Sequence, residues 1–283
     1  MTQNNGRPVY FVDGARTPFL KVRSGPGAFS AADLAVNSGR ALLSRHSFSP
    51  TDLDEVILGS AMPMPDEANI GRVVALRLGC GHQTPGYTVM RNCASAMQAL
   101  DSAAKDIQIG RADLVLAGGT EAMSRAPVLF NNDMVGWLGR LNGARSLGQK
   151  LAAIAKFRPR FLKPVIGLLK GLTDPVVDLN MGQTCEVIAH RFDVTRQAMD
   201  EMAVDSHLRL AAAFDNDRMT EVTPLYDPKR GEAYVEDTGL RRDSNVEKLS
   251  TLKPVFDRRV GLVTAANSSQ ITDGAAWLLM ASE

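Results

Sequence analysis

The chain has 283 residues, of which 45% are hydrophobic and 22% are charged, and its formal net charge is +1. This length leaves room for about two domains, and the near-neutral charge excludes a general affinity for nucleic acid. Three cysteines and four histidines, all scattered, form neither a disulfide framework nor a metal-ligand set. Residues 1–8 lack an apolar signal core, and no apolar stretch is long enough to cross a bilayer. The predicted location is the cytoplasm, a reducing compartment.

Apolar runs and helical patterns alternate over the first 117 residues. Strands are predicted at 9–12, 55–59, 87–89 and 113–117, and helices at 31–43, 69–78 and 93–109. This alternation predicts an α/β layered domain with a largely parallel sheet. The pair Gly118-Gly119 is predicted to end the last of these strands. In such a sheet, reactive groups lie at the C-terminal ends of the strands.

One cysteine stands where the strand at 87–89 gives way to a helix. Unsatisfied N–H groups and the macrodipole at a helix start stabilise a thiolate, so Cys93 is a candidate nucleophile. The small residues 94–96 leave room for an acyl group. Because free cysteines are commonly inert packing residues, a core role is the alternative. Cys80 and Cys185 lack this setting and are predicted to be core residues.

The alternation stops near residue 122, and the next segment of strand character is 265–280. Thr195 is the predicted N-cap of a helix that ends near Phe214, with Asp200 close to its positive end. The turn-rich, charged stretch 224–242 follows it. We expect three parts: a first core part at 1–122, an inserted loop domain at 123–260 and a return strand of the core at 261–283.

The segment 140–170 is basic and contains no acidic residue. Leu147, Leu151 and Ile154 recur at helical spacing, and an apolar run follows Pro164. This pattern predicts two short basic amphipathic helices, which could contact an anionic membrane or a partner protein. A solvated basic rim that attracts phosphates is the alternative.

Four blocks of the sequence occur in the order typical of one enzyme family. They are Arg91-Asn92-Cys93-Ala94-Ser95, Gly118-Gly119-Thr120-Glu121-Ala122-Met123-Ser124, Met181-Gly182-Gln183-Thr184-Cys185-Glu186, and the run from Thr264 through Asn267 and Asp273 to Ala276. On these blocks the chain resembles the thiolases, which include acetyl-CoA acetyltransferases and 3-ketoacyl-CoA thiolases. The resemblance implies a thiolase-like layered α/β fold, with a mainly helical loop domain inserted in the N-terminal core half.

The resemblance also implies a site. Cys93 would take the acyl group from an acyl-CoA or 3-ketoacyl-CoA as a covalent thioester, and its backbone N–H would help to hold the oxyanion. Ser269 would touch the pantetheine arm of coenzyme A, Ala265 would line the same tunnel, and Arg241 would lie near the adenine and phosphate end. The complete set of implied coenzyme A contacts is Leu172, Met181, Arg241, Leu252, Phe256, Ala265 and Ser269. Coenzyme A and acyl-CoA would be substrates, with no tightly bound cofactor and no metal.

The sequence departs from the family pattern in three respects. Met90 replaces a residue that is usually polar, and Ala96 replaces a usual glycine, which puts the acyl chain length in doubt. Family members also continue beyond the equivalent of Glu283 through a second copy of the core, about the size of one further domain. That half carries the activating histidine and a second cysteine. We therefore expect this chain alone to be nearly inactive, and the complete enzyme to be a dimer or tetramer with a possible β-oxidation partner.

Two other functions stay open at this point. A ketoacyl synthase-like condensing enzyme shares the architecture and the cysteine at a helix start. A non-catalytic half that binds coenzyme A or serves in assembly is an alternative of a different class. The direction of the reaction, degradative or biosynthetic, is not predicted.

Overall fold

The computed structural model describes residues 6–283, and within them the chain divides into two compact units. The first unit combines the residues up to Arg125 with Asp193–Glu283, and the second is Ala126–Phe192. These bounds differ from the expected insertion at 123–260, because the long helix after Thr195 and the segments that follow it belong to the first unit. The division of roles between 1–122, 123–260 and 261–283 stays a prediction.

The helices and strands are as follows, in chain order: β1 (Tyr10–Arg16), β2 (Leu20–Lys21), α1 (Ala31–Leu43), β3 (Glu55–Gly59), α2 (Ile70–Leu78), β4 (Gly86–Val89), α3 (Ser95–Gln108), β5 (Leu114–Ala122), β6 (Val128–Phe130), α4 (Asn132–Gly143), α5 (Leu147–Ala155), β7 (Pro164–Ile166), α6 (Gly167–Gly171), α7 (Met181–Arg191), α8 (Arg196–Asp215), β8 (Leu225–Asp227), β9 (Glu232–Tyr234), α9 (Val246–Ser250) and β10 (Thr272–Ala281).

The central sheet of the first unit is mixed. Its order is β1-β10-β5-β3-β4, and β2 also pairs with β10. Strand β3 is parallel to β4 and β5, whereas β10 is antiparallel to β1, β2 and β5. The prediction of a largely parallel sheet therefore holds for the pairs that β3 forms and is wrong for the pairs that β10 forms. The reason is that β10 lies between β1 and β5 and runs antiparallel to both of them.

Side chains of the sheet alternate between two apolar cores, as the pleat of a strand requires. Leu58, Leu116 and Trp277 pack with α1 and α2, while Ile57 and Met280 pack with α3 on the other face. The indole N–H of the buried Trp277 donates to the Ala35 carbonyl at 2.8 Å, so this large side chain leaves no unsatisfied donor in the core. The sheet is thus fixed between helices, and its strand ends form a rigid platform.

Several predicted elements have the expected bounds, and others do not. Helix α1 and strand β3 match their predictions, and Thr195 caps α8 as expected. Strand β5 does not end at Gly118-Gly119: it continues to Ala122 because β10 pairs along its whole length. The last strand begins at Thr272 rather than 265, because the residues before it form a loop. The stretch 224–242 contains the short hairpin β8-β9.

The second unit contains α4 to α7 and the two-stranded pair β6-β7. Helix α5 confirms the first of the two predicted short helices, and Lys150 is its only cation. The second is the short α6, which begins at Gly167 rather than at Pro164 because residues 164–166 form strand β7. No helix within residues 6–283 has the length and apolar character needed to cross a bilayer.

Candidate active site

Cys93 lies in a turn between β4 and α3, and its side chain is exposed. This exposure contradicts the alternative of an inert packing residue. Cys80, by contrast, is buried in the core as predicted, and burial raises the pKa of its thiol. Cys185 is only half-buried, so its prediction as a core residue is wrong.

The turn that presents Cys93 is held by the buried Ser95. The Ser95 hydroxyl donates to the Asn92 carbonyl at 2.7 Å and accepts from the Arg91 N–H at 2.8 Å. Asn92 has a φ of 48°, in the left-handed region, which costs a non-glycine residue about 1 kcal/mol or more. The serine bonds offset this strain, and they keep the thiol in one position relative to the helix.

Two glycines allow the first turn of α3 to lie directly on the strand ends. A Cβ atom on Gly119 of β5 would stand 2.6 Å from the Cβ of Ala96, and one on Gly59 of β3 would collide with the backbone of Ser95. The methyl group of Ala96 therefore faces the sheet at Gly119. This close approach places Cys93 at the end of the sheet that is formed by the C-termini of β3, β4 and β5.

The start of α3 is electrostatically suited to an anion. The N-cap residue Ala94 has no side-chain acceptor for the free N–H groups of the first turn. Such groups, together with the helix dipole, stabilise a thiolate or an oxyanion placed beside them. Within residues 6–283 no side chain makes a hydrogen bond to the thiol of Cys93. Two of the four histidines make hydrogen bonds elsewhere, His46 to Asp13 and His207 to the backbone N–H of Arg241.

Ala265 and Ser269 are both exposed in the loop that leads into β10. Asn267 organises this loop, because its side chain accepts from the Thr264 N–H at 2.7 Å and donates to the Leu262 carbonyl at 3.1 Å. The first residues of β10 pair with the end of β5. The loop therefore lies at the same edge of the sheet as Cys93.

Asp200 connects this loop to α8. It is 1% exposed, and it accepts from the Asn267 amide at 2.9 Å and from the Arg196 guanidinium at 2.8 Å. The same guanidinium binds the Leu249 and Leu252 carbonyls. From the sequence, Asp200 is expected near the start of the helix only because its negative charge suits the helix dipole. Its spacing of four residues from Arg196, which is typical of an ion pair on a helix, is the sequence signal for the pair seen in the structure.

The remaining implied contacts lie in both units. In the first, Arg241 is exposed, and Leu252 and Phe256 are 39% and 37% exposed. In the second, Leu172 is half-buried and Met181 exposed, and the Met181 N–H donates to the Leu172 carbonyl at 3.0 Å. The structure thus brings Leu172 and Met181 together.

Glu121, at the end of β5, is a further site-forming residue that the sequence analysis did not single out. Its carboxylate accepts from the N–H groups of Ala61 and Met62, at 2.8 and 3.2 Å, and so fixes the loop after β3. Burial raises the pKa of this carboxyl group, and the backbone bonds oppose that shift. Its place within the Gly118–Ser124 block was the signal.

Fold and site together define a class: an α/β core with an exposed cysteine just before the start of a helix, beside the strand ends. The sequence profile described as "Thiolase, N-terminal domain" matches residues 9–283. The chain belongs to the thiolase family.

Curated relatives agree. The 3-ketoacyl-CoA thiolase of Pectobacterium atrosepticum is 36% identical over 279 residues, which are 98% of this chain and 63% of the relative. That of Yersinia pestis strain Pestoides F is 35% identical over 284 residues, 100% of this chain and 64% of the relative. The chain therefore spans less than two thirds of the length of these proteins.

Solved structures show the same fold. Human mitochondrial 3-ketoacyl-CoA thiolase in complex with CoA superposes with a TM-score of 0.82 at 32% identity, covering 98% of this chain and 65% of the other. The Bacillus anthracis acetyl-CoA acetyltransferase gives a TM-score of 0.80 at 30% identity, with coverages of 99% and 67%. A thiolase-like α/β fold is thereby confirmed.

Proposed function

We propose that the chain carries the acyl-accepting half-reaction of a thiolase. The observation that supports this proposal is the exposed thiol of Cys93 at the uncapped start of α3. Its thiolate attacks the thioester carbonyl of an acyl-CoA or the 3-keto carbonyl of a 3-ketoacyl-CoA. The oxygen of the tetrahedral adduct is stabilised by helix-start N–H groups.

The intermediate then collapses with cleavage of a bond to the carbonyl carbon. From an acyl-CoA the leaving group is the coenzyme A thiolate, which takes up a proton. From a 3-ketoacyl-CoA it is the enolate of acetyl-CoA, which is protonated at carbon. In both cases the acyl group stays on Cys93 as a thioester, and a second thiol or enolate removes it.

Coenzyme A is the proposed substrate, and the proposed reaction uses no tightly bound cofactor. Arg241, Leu252, Phe256, Ala265 and Ser269 of the first unit are the proposed contacts there. Leu172 and Met181 are those of the second unit. A relative whose solved structure contains CoA supports this assignment. Assembly into dimers or tetramers and a cytoplasmic location stay predictions.

Intact-mass measurement after incubation with acetyl-CoA tests the half-reaction. The wild-type chain should gain one acetyl group, located on the peptide that contains Cys93, and Cys93→Ser should gain none. The matched control is Cys185→Ser, which should be acetylated like the wild type. Binding of coenzyme A without any adduct would support the non-catalytic alternative. The family assignment argues against the ketoacyl synthase alternative.

We expect slow turnover of acetoacetyl-CoA by the 283-residue chain, even though it accepts an acyl group. No residue within 6–283 hydrogen-bonds to Cys93 to act as its base, and loss of such a partner costs several orders of magnitude in related systems. Steady-state thiolysis at an ordinary enzymatic rate would contradict this expectation.

We further propose that the basic segment 140–170 associates with anionic membranes. Leu147, Leu151 and Ile154 of α5 are 74%, 59% and 53% exposed, and eight lysines and arginines lie in the segment. Exposed apolar side chains among cations are typical of helices that lie at a membrane surface.

A flotation assay tests this proposal. The wild-type chain should float with vesicles that contain anionic lipid, and Leu147→Glu combined with Leu151→Glu should abolish its flotation. Equal flotation of wild type and variant would contradict the proposal. Capture of a β-oxidation partner in the absence of lipid would instead favour a partner-protein contact for the segment 140–170.

A further inference from the structure

Two adjoining clefts open beside the short strand β2 in the first unit. Their volumes are about 530 and 850 Å³, within the usual range of small-molecule sites. Lys21, Arg23, Tyr234 and Thr238 line both clefts, and Arg241 lines the second. The two spaces therefore share one wall, and this wall carries two cations.

Three cations that line these clefts have no anionic partner in the described part of the chain, whereas Arg230 and Arg242 are ion-paired. Within residues 6–283, Lys21, Arg23 and Arg241 form no ion pair. The neighbouring carboxylates are occupied as follows: Asp237 by Arg16, Glu236 by Arg242, Asp243 by Lys248, and Glu232 by the hydroxyl of Tyr234. Glu232 and Asp273 keep their negative charge, because only hydroxyl and N–H groups of the described residues bind them. The three unpaired cations outnumber these two carboxylates, so the clefts carry net positive charge, which attracts an anionic ligand.

The backbone that carries these cations is held in place. The Lys21 N–H donates to the Thr238 hydroxyl at 2.7 Å, and the Thr238 N–H donates to the Phe19 carbonyl at 3.1 Å. The Arg241 N–H donates to the His207 ring at 3.4 Å. Burial, Arg241 and Lys21 together lower the pKa of His207, which indicates that both cations act on one region.

The clefts lie at the same edge of the sheet as Cys93. Lys21 pairs with Thr272 at the start of β10, and β10, β5 and β3 separate β2 from β4. Four strand spacings place β2 about 20 Å from β4. Coenzyme A carries its thiol and its 3′-phosphate at opposite ends of a long flexible arm. Its phosphate end can therefore lie far from the nucleophile.

We propose that Lys21 and Arg23 bind the 3′-phosphate of coenzyme A and determine specificity for the phosphorylated nucleotide. This inference rests on the proposed function, in which Arg241 contacts the adenine and phosphate end. A lysine and an arginine two residues apart in one wall suit a phosphate dianion, since charge-assisted hydrogen bonds are stronger than neutral ones. Neither residue takes part in the chemistry at Cys93.

Calorimetric titration of the 283-residue chain with coenzyme A and with dephospho-CoA, which lacks only the 3′-phosphate, tests the proposal. The wild type should bind dephospho-CoA about tenfold more weakly, the loss expected for one charge-assisted contact at a partly exposed site. In Lys21→Ala combined with Arg23→Ala, the two ligands should bind equally. Lys21→Arg should keep the preference. The matched control Lys105→Ala, which removes an exposed cation of α3, should also keep it.

Equal affinity of the wild type for both ligands would overturn the proposal, as would an unchanged preference in the double variant. Loss of the preference in Lys105→Ala would overturn it too, because net charge would then be the cause. Because Lys21 and Arg23 have no ion pairs within residues 6–283, the double variant should have the circular dichroism spectrum and melting temperature of the wild type. Acetylation of Cys93 at saturating acetyl-CoA is measured separately, because it tests the proposed function. If the wild type is acetylated but binds both ligands equally, only this inference fails; if the wild type is not acetylated, the proposed function fails.

Discussion

Glu55 is a buried carboxyl group without full compensation at the start of β3. Its side chain is 6% exposed, one oxygen has no hydrogen-bond partner within residues 6–283, and Arg111 is 3.8 Å away. Burial raises the pKa of Glu55, and repulsion by Asp106 and Asp54 adds to the shift. The folded state therefore holds this proton to a higher pH than the unfolded state does.

The direction of the pH dependence follows from that shift. The stabilising contribution of protonated Glu55 is complete below its ordinary pKa of 4.5 and is lost as the pH rises through the raised pKa of the folded state. Glu55→Gln should remove this loss, so the unfolding free energy of the variant should fall less between pH 4.5 and neutrality. Urea denaturation at several pH values measures the slope. The exposed Glu247→Gln should behave like the wild type, and identical slopes for Glu55→Gln and wild type would refute the assignment.

At the scale of elements, the contact between α3 and β5 decides where Cys93 stands. A Cβ on Gly119 would lie 2.6 Å from the Cβ of Ala96, so Gly119→Ala should cost about 1–3 kcal/mol through overpacking. Adding Ala96→Gly should restore part of this loss, because the opposing methyl group is then absent. A double-mutant cycle by urea denaturation measures the coupling.

The chain offers a matched control for this cycle. Gly139 in α4 has no atom within 4 Å of a built Cβ, so Gly139→Ala should be neutral or stabilising by about 0.4–1 kcal/mol. Additive effects of the Gly119 and Ala96 substitutions would show that the two residues do not meet. Slower acetylation of Cys93 in Gly119→Ala alone would connect the packing to the site.

Elements whose signals are local could be predicted from the sequence. Helix α1 begins with a capping box formed by Ser30 and Asp33, and β3 contains the apolar run 56–58 followed by a glycine, so both have their predicted bounds. The end of β5 and the start of β10 could not be predicted. Their lengths depend on each other through the pairing of Ala122 with Asp273, and no local pattern encodes that contact.

The candidate site also has features with local sequence signals and features that depend on distant contacts. Cys93 can be predicted because a strand, a cysteine and a helix are consecutive in the sequence. From the sequence, Asp200 is expected only to lie near the positive end of a helix, whereas the structure buries it against Asn267, a residue from a distant segment. Its partner lies 67 positions along the chain, so only the fold reveals the pair.

At the scale of the whole molecule, Arg16 and Asp237 join two distant segments of the chain. The guanidinium of Arg16 makes two bonds to the carboxylate, at 2.8 and 3.0 Å, and Asp237 also accepts from the Phe19 N–H. Both side chains are almost buried, at 12% and 9% exposure. Such a pair is hard to replace because each charge depends on the other.

Asp237→Ala should therefore destabilise the protein by about 3–5 kcal/mol, since the nearly buried Arg16 then keeps only the long 3.4 Å ion pair with the partly exposed Glu221. Thermal and urea denaturation measure this loss. The exposed pair of Arg209 and Asp205 supplies the control: Asp205→Ala should change stability by about 0.2–1 kcal/mol at most. Equal effects of the two substitutions would contradict the structural importance of the buried pair.

Strand β10 lies between β1 and β5 in the sheet, although it follows all the other described strands in the chain. Until residues 272–281 have been synthesised, β1 and β5 cannot be joined, and each keeps an open edge that could pair with another chain. Contacts between such distant segments form slowly, because a long loop must close first. Nascent chains of this protein should therefore depend on chaperones until translation has passed β10.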